Sequence, residues 1–450
     1  MTNFTRRRAE MSVAGSPSTV MRWAAGASTY PVFGRARQPL VGGDQSEDAA
    51  CLQPLADLRA GLALRDEQQG EAAVIHRMVP ERLRGMIEYS LTKIPCVPDR
   101  SRPRSEGDFL APMIVSKRDL AAAIARRSGL TGLLASLPTR PSLLVLTYHR
   151  IGNADQCPYD PGTFSATCGE LDEQVRFLKR RWHLVGLDEA IEIVEGKSKV
   201  KGAAVLLTFD DGYLDNYESA FPILSSHGVQ GVFFLPVGYI GSNRIAWWDA
   251  IAYIVKHSRR REFELAYPAV HRFNIATEGV RPVIARVLGV YKSLDAADGE
   301  RFIRILEEVC GAARPENAER CFMNWEEAEA MLRGGMAIGS HTQSHRILSK
   351  LPAEDQFQEM ACSKQILEQR LGVPVRSIAY PVGLPDSFTP ITRAAAERAQ
   401  YRVAFSYYGG VNTPGAIERY NVLREPVDNA GVARFGLQTT LAVVTRKYWF

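Results

Sequence analysis

The chain has 450 residues, of which 46% are apolar and 23% charged, so it can form a large core and is neither wholly disordered nor collagen-like. Its 55 Lys and Arg side chains outnumber its 50 Asp and Glu side chains only slightly, and the formal net charge is +5. A charge this small on a chain of this length gives no ground for a nucleic-acid-binding function.

The seven cysteines form no CxxC pair, and their odd number leaves at least one thiol without a partner in the chain. This pattern disfavours a disulfide framework or a cysteine zinc site, and it favours a reducing compartment. The chain has no run of 18 apolar residues, and Arg22 interrupts the patchy apolar stretch near the N-terminus. We therefore expect a cytoplasmic protein without a transmembrane segment.

Residues 1–112 differ in composition from the rest of the chain. They are rich in Arg, Gly, Ser, Pro and Gln, which predicts a largely disordered extension that is dispensable for chemistry. Alternatively, the true start is Met113, in which case the preceding residues bear on neither the fold nor export. We divide the chain into this extension, a helical lead-in that Gly129 breaks, a main domain and a C-terminal tail, at residues 1–112, 113–140, 141–430 and 431–450.

Short apolar, β-branched runs alternate with helical patterns from residue 143 onward, which predicts a parallel sheet covered by helices on both faces. The predicted strands are 143–148, 204–209, 231–237, 336–340, 377–381 and 401–407. The predicted helices lie near 165–180, 188–195, 213–227, 247–258, 295–310, 324–333, 353–371 and 388–399, and Asn324 with Glu327 predicts a capping box. The fold class is therefore α/β, with either a doubly wound sheet or a barrel.

Polar side chains that could bind a metal or take part in catalysis follow two of these strands. Strand 204–209 runs into Asp210 and Asp211, and strand 336–340 runs into His341 and, four residues later, His345. Reactive groups of parallel α/β folds lie at the carboxyl ends of strands. Taken separately, the aspartates could be a helix cap with a solvated neighbour, and the histidines could be polar loop residues.

The combination of these residues is more informative than either pair. Two imidazoles and one carboxylate are a common ligand set for catalytic zinc and leave positions open for water and substrate. The other carboxylate can take a proton from that water, whose pKa the ion lowers. The two strand ends together therefore predict metal-assisted hydrolysis.

Three motifs in this order resemble those of a known family. TFDDG at 208–212, SHTQSH at 340–345 and AYPVG at 379–383 are similar to the motifs of polysaccharide deacetylases of carbohydrate esterase family four, the nodulation-type chitooligosaccharide deacetylases. The resemblance covers about residues 140–430. It implies a distorted, incomplete (β/α) barrel, preceded here by the poorly ordered N-terminal region.

The resemblance also implies roles for the matching residues. Asp210 would be the general base, and a divalent metal would be bound by Asp211, His341 and His345. Zinc is the first expectation for this ion, with cobalt, nickel or manganese as alternatives.

The third motif departs from the family pattern. Its residues Tyr380, Pro381, Val382 and Gly383 would line the groove, and the Val382 N–H would help to hold the oxyanion. The arginine that orients the base in the family is missing from this motif, and Arg424 is a candidate to replace it.

The general acid of the family is usually a late histidine, but no histidine follows His345. His149 lies in a Tyr-His motif after the first predicted strand, similar to that of biofilm-polysaccharide deacetylases of the same superfamily, in which this histidine is thought to be the acid. The first and last strands of a closed barrel are neighbours, so His149 can reach the same site. The alternative is a buried histidine satisfied by the backbone, with water or Tyr213 as the proton donor.

Aromatic residues after a strand end could line a sugar groove, although most aromatic side chains belong to cores. Trp248 and Tyr239 are the better candidates, because their segment contains loop-forming glycines. Asp249, beside them, is expected to cap a helix or form a pair and not to catalyse.

The sequence therefore predicts a deacetylase that acts on an acetylated carbohydrate, an N-acetylglucosamine-containing oligo- or polysaccharide. An O-acetyl carbohydrate esterase with the same machinery is the first alternative. The second is an inactive carbohydrate-binding relative, which the intact set of Asp210, Asp211, His341 and His345 disfavours. The sequence does not specify the polymer or the oligomeric state.

Overall fold

The structure is a computed structural model that describes residues 117–446, except for 138, 316–318 and 430. The predictions for residues 1–112 lie outside the described residues. The strands are β1 (Ser142–Tyr148), β2 (Arg150–Ile151), β3 (Phe164–Ala166), β4 (His183–Leu184), β5 (Ala203–Phe209), β6 (Gly231–Leu235), β7 (Glu262–Leu265), β8 (His271–Asn274), β9 (Ala337–Ser340), β10 (Ser377–Ala379), β11 (Val403–Phe405) and β12 (Glu425–Pro426).

The α-helices alternate with these strands, as the sequence predicted. They are α1 (Lys117–Arg127), α2 (Leu130–Ala135), α3 (Cys168–Lys179), α4 (Leu187–Val194), α5 (Phe221–Ser226), α6 (Trp247–Lys256), α7 (Ile275–Glu278), α8 (Val280–Ser293), α9 (Gly299–Cys310), α10 (Trp325–Arg333), α11 (Ala353–Leu371), α12 (Pro390–Arg398) and α13 (Gly431–Thr445). The predicted capping box of α10 is confirmed, because Asn324 and Glu327 cap each other's backbone N–H. Gly129, with φ of 75°, separates α1 from α2.

The main sheet is parallel and curls into an incomplete barrel. Its strand order is β11-β10-β9-β6-β5-β1-β12, and β4 pairs with β5 beside this path. β1 and β5 pair along their whole length, from Ser142 opposite Ala203 to Tyr148 opposite Phe209. The predicted barrel-type fold is therefore confirmed, and the carboxyl ends of its strands meet at one edge.

A segment of irregular chain closes most of the gap between the outer strands; we call residues 412–426 the closing strip. Asn412 and Leu143 of β1 exchange two backbone hydrogen bonds of 2.9 Å. On the other side, the Val422 N–H donates to Ala404 of β11, and β12 at the end of the strip pairs with β1. The strip thus brings the last part of the chain to the first strand.

Both faces of the sheet are buried, which explains why its strands read as continuous apolar runs. In β1, Leu144 and Leu146 pack into one core cluster, whereas Leu143 and Val145 pack into another on the opposite face. A third cluster, the insertion cluster, lies mainly in an insertion between β6 and β9, residues 247–310, which includes α6, the β7–β8 hairpin and α7 to α9. The cluster also contains Tyr213, Tyr239 and Phe322. The sequence predicted neither the hairpin nor α8.

The C-terminal segment expected as a tail forms helix α13 through residue 445. It packs against α1, α2 and α3. Phe435 of α13 is buried and meets Phe177 of α3 edge to face, with ring centroids 6.3 Å apart. Within the part of the chain that the structure describes, none of the helices combines the length and apolar character that a membrane crossing requires.

Candidate active site

The predicted metal ligands follow two strands that are separated by β6 in the sheet. Asp211 comes two residues after β5, and His341 directly follows β9. The backbone of Asp211, Thr342 and His345 is left-handed, with φ of 74°, 66° and 56°. Such conformations are costly for residues other than glycine and are found where the surrounding structure holds a functional side chain in place.

The three ligand side chains converge on one point. The Nε2 atoms of His341 and His345 lie 3.5 and 3.2 Å from Asp211 Oδ1, and they are 3.2 Å from each other. Ligand atoms at about 2.0–2.1 Å from a tetrahedral zinc ion lie about 3.3 Å apart, so these distances fit a divalent cation. The three residues thus form a potential metal site.

The polar surroundings of these side chains also suit a cation. Oδ1 of Asp211 is buried without a hydrogen-bond partner, which is costly unless a positive group satisfies it. Nδ1 of His341 lies 2.8 Å from the carbonyl oxygen of Ala379, an arrangement that leaves Nε2 free as a metal ligand. Burial alone would raise the pKa of the Asp211 carboxyl, but the two imidazoles hold it well below its usual range.

Asp210, the predicted base, is held by an arginine from the closing strip. The buried guanidinium of Arg424 donates to both carboxylate oxygens, at 2.8 and 2.7 Å, and also to the carbonyl oxygen of Ser406 at 2.8 Å. Burial would raise the pKa of Asp210, but Arg424 and His341 more than offset this and lower it. Asp210 is therefore an oriented carboxylate, 3.8 Å from His341 Nε2.

Arg424 thus holds Asp210 from outside the third motif, which has no arginine. A two-pronged contact with a carboxylate is specific to the planar guanidinium, and its hydrogen bonds are stronger than those between neutral groups. The sequence offered Arg424 only as a candidate, because it is more than 200 residues from Asp210 along the chain. The closing strip brings the two together.

Asp210, Asp211, His341 and His345 line one cavity of about 440 Å³. Its wall also includes His149 directly after β1, the loop before β3 and the start of β3, the insertion, and residues 426–429 at and after the end of the closing strip. The side chains that line it are His149, Asp160, Pro161, Gly162, Thr163, Phe164, Ser165, Asp210, Asp211, Trp247, Trp248, Leu288, Lys292, His341, His345, Tyr380, Val382, Leu384, Tyr407, Pro426, Val427, Asp428 and Asn429.

The AYPVG turn contributes Tyr380 and Val382 to this wall, but Pro381 and Gly383 do not line the cavity, which corrects the expectation for these two residues. Val382 has φ of 63°, an unusual conformation for a β-branched residue. A Cβ atom on Gly383 would lie 2.7 Å from the backbone nitrogen of Tyr407, so only glycine fits this close approach. The turn therefore holds Val382 in a strained backbone conformation at the cavity wall.

His149 follows β1 directly and lines the same cavity. Its backbone N–H donates to Ser165 and its carbonyl oxygen accepts from Asn216, so the main chain is fixed on both sides. Its ring meets the Tyr407 ring edge to face, with centroids 5.3 Å apart. The side chain thus faces the cavity and does not enter the barrel core.

The two predicted groove aromatics lie in different places. The indole of Trp248 lines the cavity and packs on His345, with ring centroids 4.4 Å apart. Tyr239 is not on the cavity wall, and this corrects the expectation that it lines the groove. Its ring is buried in the insertion cluster, 4.9 Å from the ring of Phe322 and behind Trp248.

The sequence did not identify several residues of the cavity wall. These are the stretch Asp160–Ser165, which we call the rim, Leu288 and Lys292 of α8, and Tyr407. None of these belongs to a recognisable motif. The pattern that comes closest to a motif is Asp160-Pro161-Gly162. It indicates a turn, but it does not indicate that this turn lies at the site. The insertion and the rim reach the cavity only through tertiary packing.

The incomplete parallel barrel with two carboxylates and two histidines at its carboxyl edge is the arrangement that the motif resemblance to carbohydrate deacetylases implied. Residues 197–404 match the model of the polysaccharide deacetylase family. Asp210, Asp211, His341 and His345 lie within the matched stretch. His149 and Arg424 lie outside it.

Individual proteins similar to this chain include one curated relative and two solved structures. The Bacillus subtilis (strain 168) protein YxkH is 23% identical to this chain over 278 residues, which are 62% of this chain and 67% of that protein. Its name assigns it provisionally to the polysaccharide deacetylases. A structure of the Streptococcus pyogenes deacetylase PplD in complex with acetate shares 17% identity at a TM-score of 0.43, over 67% of this chain and 99% of that one. The structure of IcaB from Ammonifex degensii shares 21% identity at a TM-score of 0.44, over 66% of this chain and 98% of that one.

Proposed function

We propose that this polysaccharide deacetylase is a divalent-metal-dependent enzyme that removes acetyl groups from an N-acetylglucosamine-containing oligo- or polysaccharide. The observation that carries the proposal is the buried Asp210–Arg424 pair beside the convergent Asp211, His341 and His345 in one cavity. A sugar ring with its acetamido group fits a cavity of about 440 Å³, a typical size for a small-molecule site.

A divalent ion held by Asp211, His341 and His345, with zinc as our first choice, supplies Lewis-acid polarisation and lowers the pKa of water. The protein groups around it then divide the remaining work. Asp210, anionic and oriented by Arg424, takes the proton from the attacking water. The Val382 N–H donates to the oxygen on which negative charge develops.

His149 delivers a proton to the leaving amine in this proposal. Its position on the cavity wall supports this role, because His149 follows β1, three strands along the sheet from β9, which precedes the two histidines. An amine leaves poorly without protonation, whereas the alkoxide of an O-acetyl ester depends less on an acid. The same side chain therefore separates the proposed reaction from the esterase alternative.

The test combines metal analysis of the purified protein with measurement of acetate released from chitooligosaccharides and from O-acetylated polysaccharides. We expect acetate from the N-acetylated substrates, loss of activity after chelation, and recovery when a divalent ion is restored. Release from O-acetylated substrates alone would support the esterase. Absence of both metal binding and acetate release would support an inactive carbohydrate-binding protein.

We expect His149→Ala to lower the rate on N-acetyl substrates by roughly 10²–10⁴, and to lower it less on an activated acetyl ester that leaves without a proton. The pH–rate profile of the variant should also lose its basic limb, because the step consumes a protonated imidazole. The matched control is His183→Ala, at an exposed histidine outside the cavity. Equal losses on the amide and the activated ester would rule out His149 as the acid.

A further inference from the structure

A buried carboxylate lies directly behind the cavity wall, and no step of the proposed chemistry uses it. Asp249, in the first turn of α6, is only 1% exposed. Its two predecessors, Trp247 and Trp248, line the cavity, but Asp249 itself does not. Each of its two oxygens accepts a hydrogen bond from a different part of the site.

The first oxygen holds the cavity rim. Oδ1 of Asp249 accepts from the Asp160 N–H at 3.1 Å. Asp160 begins the short 3-10 turn Pro161–Thr163, and its own side chain and carbonyl oxygen accept hydrogen bonds from Gly162 and Thr163. All four residues line the cavity, so Asp249 anchors this stretch of the wall at its first peptide.

The second oxygen positions the aromatic side chain of Trp248, which packs on the proposed metal ligand His345. Oδ2 of Asp249 accepts from the Tyr213 hydroxyl at 2.8 Å, and this hydroxyl accepts from Trp248 Nε1 at 2.6 Å. The Trp248 ring packs on the ring of His345. A chain of two hydrogen bonds therefore connects Asp249 to the indole that covers His345.

We propose that Asp249 is a positioning residue of this site, which fixes the Asp160–Thr163 rim against the substrate and the Trp248 indole against His345. The role requires a carboxylate, because two donors converge on two acceptor oxygens. An asparagine has one acceptor oxygen and would leave either the Asp160 N–H or the Tyr213 hydroxyl facing an NH₂ group. The inference rests on the proposed function in that the rim is taken to contact the acetylated sugar.

The variants Asp249→Asn and Tyr213→Phe separate the two connections of Asp249, the one to the Asp160 N–H and the one through Tyr213 to Trp248. In Asp249→Asn we expect KM for a chitooligosaccharide to rise roughly tenfold and the Kd of the divalent ion to rise by several fold, with kcat changed less than KM. In Tyr213→Phe, which leaves the Asp160 contact in place, we expect the weaker metal binding with a smaller change in KM. The metal Kd is measured by competition with a chromogenic chelator, which needs no activity.

The matched control is Glu327→Gln, at a carboxylate that also accepts a backbone N–H and a side-chain donor but lies at the start of α10 outside the cavity. This variant should lower the thermal unfolding temperature and leave KM and the metal Kd unchanged. All measurements are made at about pH 8, above the value of about 7 to which burial raises the pKa of Asp249.

The inference is overturned if Asp249→Asn lowers only the unfolding temperature, as the control does. If this variant fails to fold, Tyr213→Phe decides: an unchanged metal Kd and KM overturn the inference, and a raised metal Kd supports it. A wild-type protein that binds metal but releases no acetate would contradict the proposed function, while the metal Kd values of the two variants would still test the positioning role.

Discussion

Asp210 and Asp211 are adjacent in the chain but lie in different electrostatic surroundings. Asp210 is paired with the guanidinium of Arg424, whereas Asp211 faces the two imidazoles. The β5 strand end points the two side chains in different directions, because Asp211 adopts a left-handed backbone conformation. These surroundings would allow one carboxylate to act on a proton while its neighbour binds an ion, as the proposed function requires.

Substitution of each aspartate should separate these roles. We expect Asp210→Asn to retain metal near the wild-type level and to lose activity by roughly 10²–10⁴, the usual contribution of a general base. Asp211→Asn should instead weaken metal binding, because a neutral amide is a poorer ligand for a cation. Metal content and acetate release are measured on the same preparations, and an equal loss of metal in both variants would contradict this division.

Arg424 should control the pH at which Asp210 works. Arg424→Gln removes the cation that lowers the pKa of Asp210, so this pKa rises and a larger fraction of the base is protonated at a given pH. We therefore expect the acidic limb of the pH–rate profile to move to higher pH. The variant should also lose stability by about 3–5 kcal/mol, because it leaves a buried carboxylate unpaired.

Arg424→Lys is the matched variant, since it keeps the positive charge but cannot donate to both oxygens at once. Its acidic limb should move less than that of Arg424→Gln, while its rate still falls through loss of orientation. Unchanged pH–rate profiles in both variants would show that Arg424 is only a structural residue.

At the scale of elements, the barrel is completed by parts of the chain that do not look like barrel strands. The closing strip connects β11 to β1 mainly through irregular backbone hydrogen bonds and a two-residue strand. The insertion has its own apolar cluster and presents Trp247, Trp248 and Lys292 to the cavity. The wall of the site is therefore built by connections between the strands and not by the strands alone.

Helix α13 should contribute to stability without affecting the site. Phe435→Ala removes a buried ring that packs on Phe177, and we expect the free energy of unfolding to fall by about 3 kcal/mol. Denaturant unfolding checks this value, with Leu120→Ala in α1 as the control because that side chain is 49% exposed. Similar unfolding free energies for the two variants would mean that α13 packs only loosely.

At the scale of the whole molecule, two carboxyl groups in separate parts of the structure resist ionisation. Burial raises the pKa values of Asp249 and Glu425 to about 7, from about 4 in an unfolded chain. Between these values the folded state binds more protons than the unfolded state. The stabilisation from these groups is therefore complete below about pH 4 and is lost as the pH rises toward 7.

We expect Glu425→Gln to reduce this pH dependence, because Gln keeps an acceptor for the Gly410 N–H but cannot ionise. The free energy of unfolding of the wild type should fall more than that of the variant between about pH 5 and about pH 8. Urea unfolding at both pH values provides the measurement, with the exposed Glu397→Gln as the control. Parallel pH dependences for wild type and Glu425→Gln would contradict the prediction.

The sequence was sufficient for six strands of the main sheet (β1, β5, β6, β9, β10 and β11), most of the helices between them, and the residues Asp210, Asp211, His341 and His345 after the strands. These features depend on local patterns: apolar runs of strand length, a capping box at Asn324, and polar motifs that directly follow strands. Parallel strands bring their carboxyl ends to one edge, so the meeting of the two motifs could be inferred without coordinates.

Only the tertiary structure decided which distant residues complete the site. Arg424 reaches Asp210 because the closing strip returns to β1, and Tyr239 is excluded from the cavity because Phe322 and Trp248 enclose its ring. The Asp160 rim and Asp249 meet across 89 residues of chain. Such contacts depend on the packing of irregular segments, whose sequences have no periodicity, so the sequence alone could propose these residues at most as candidates.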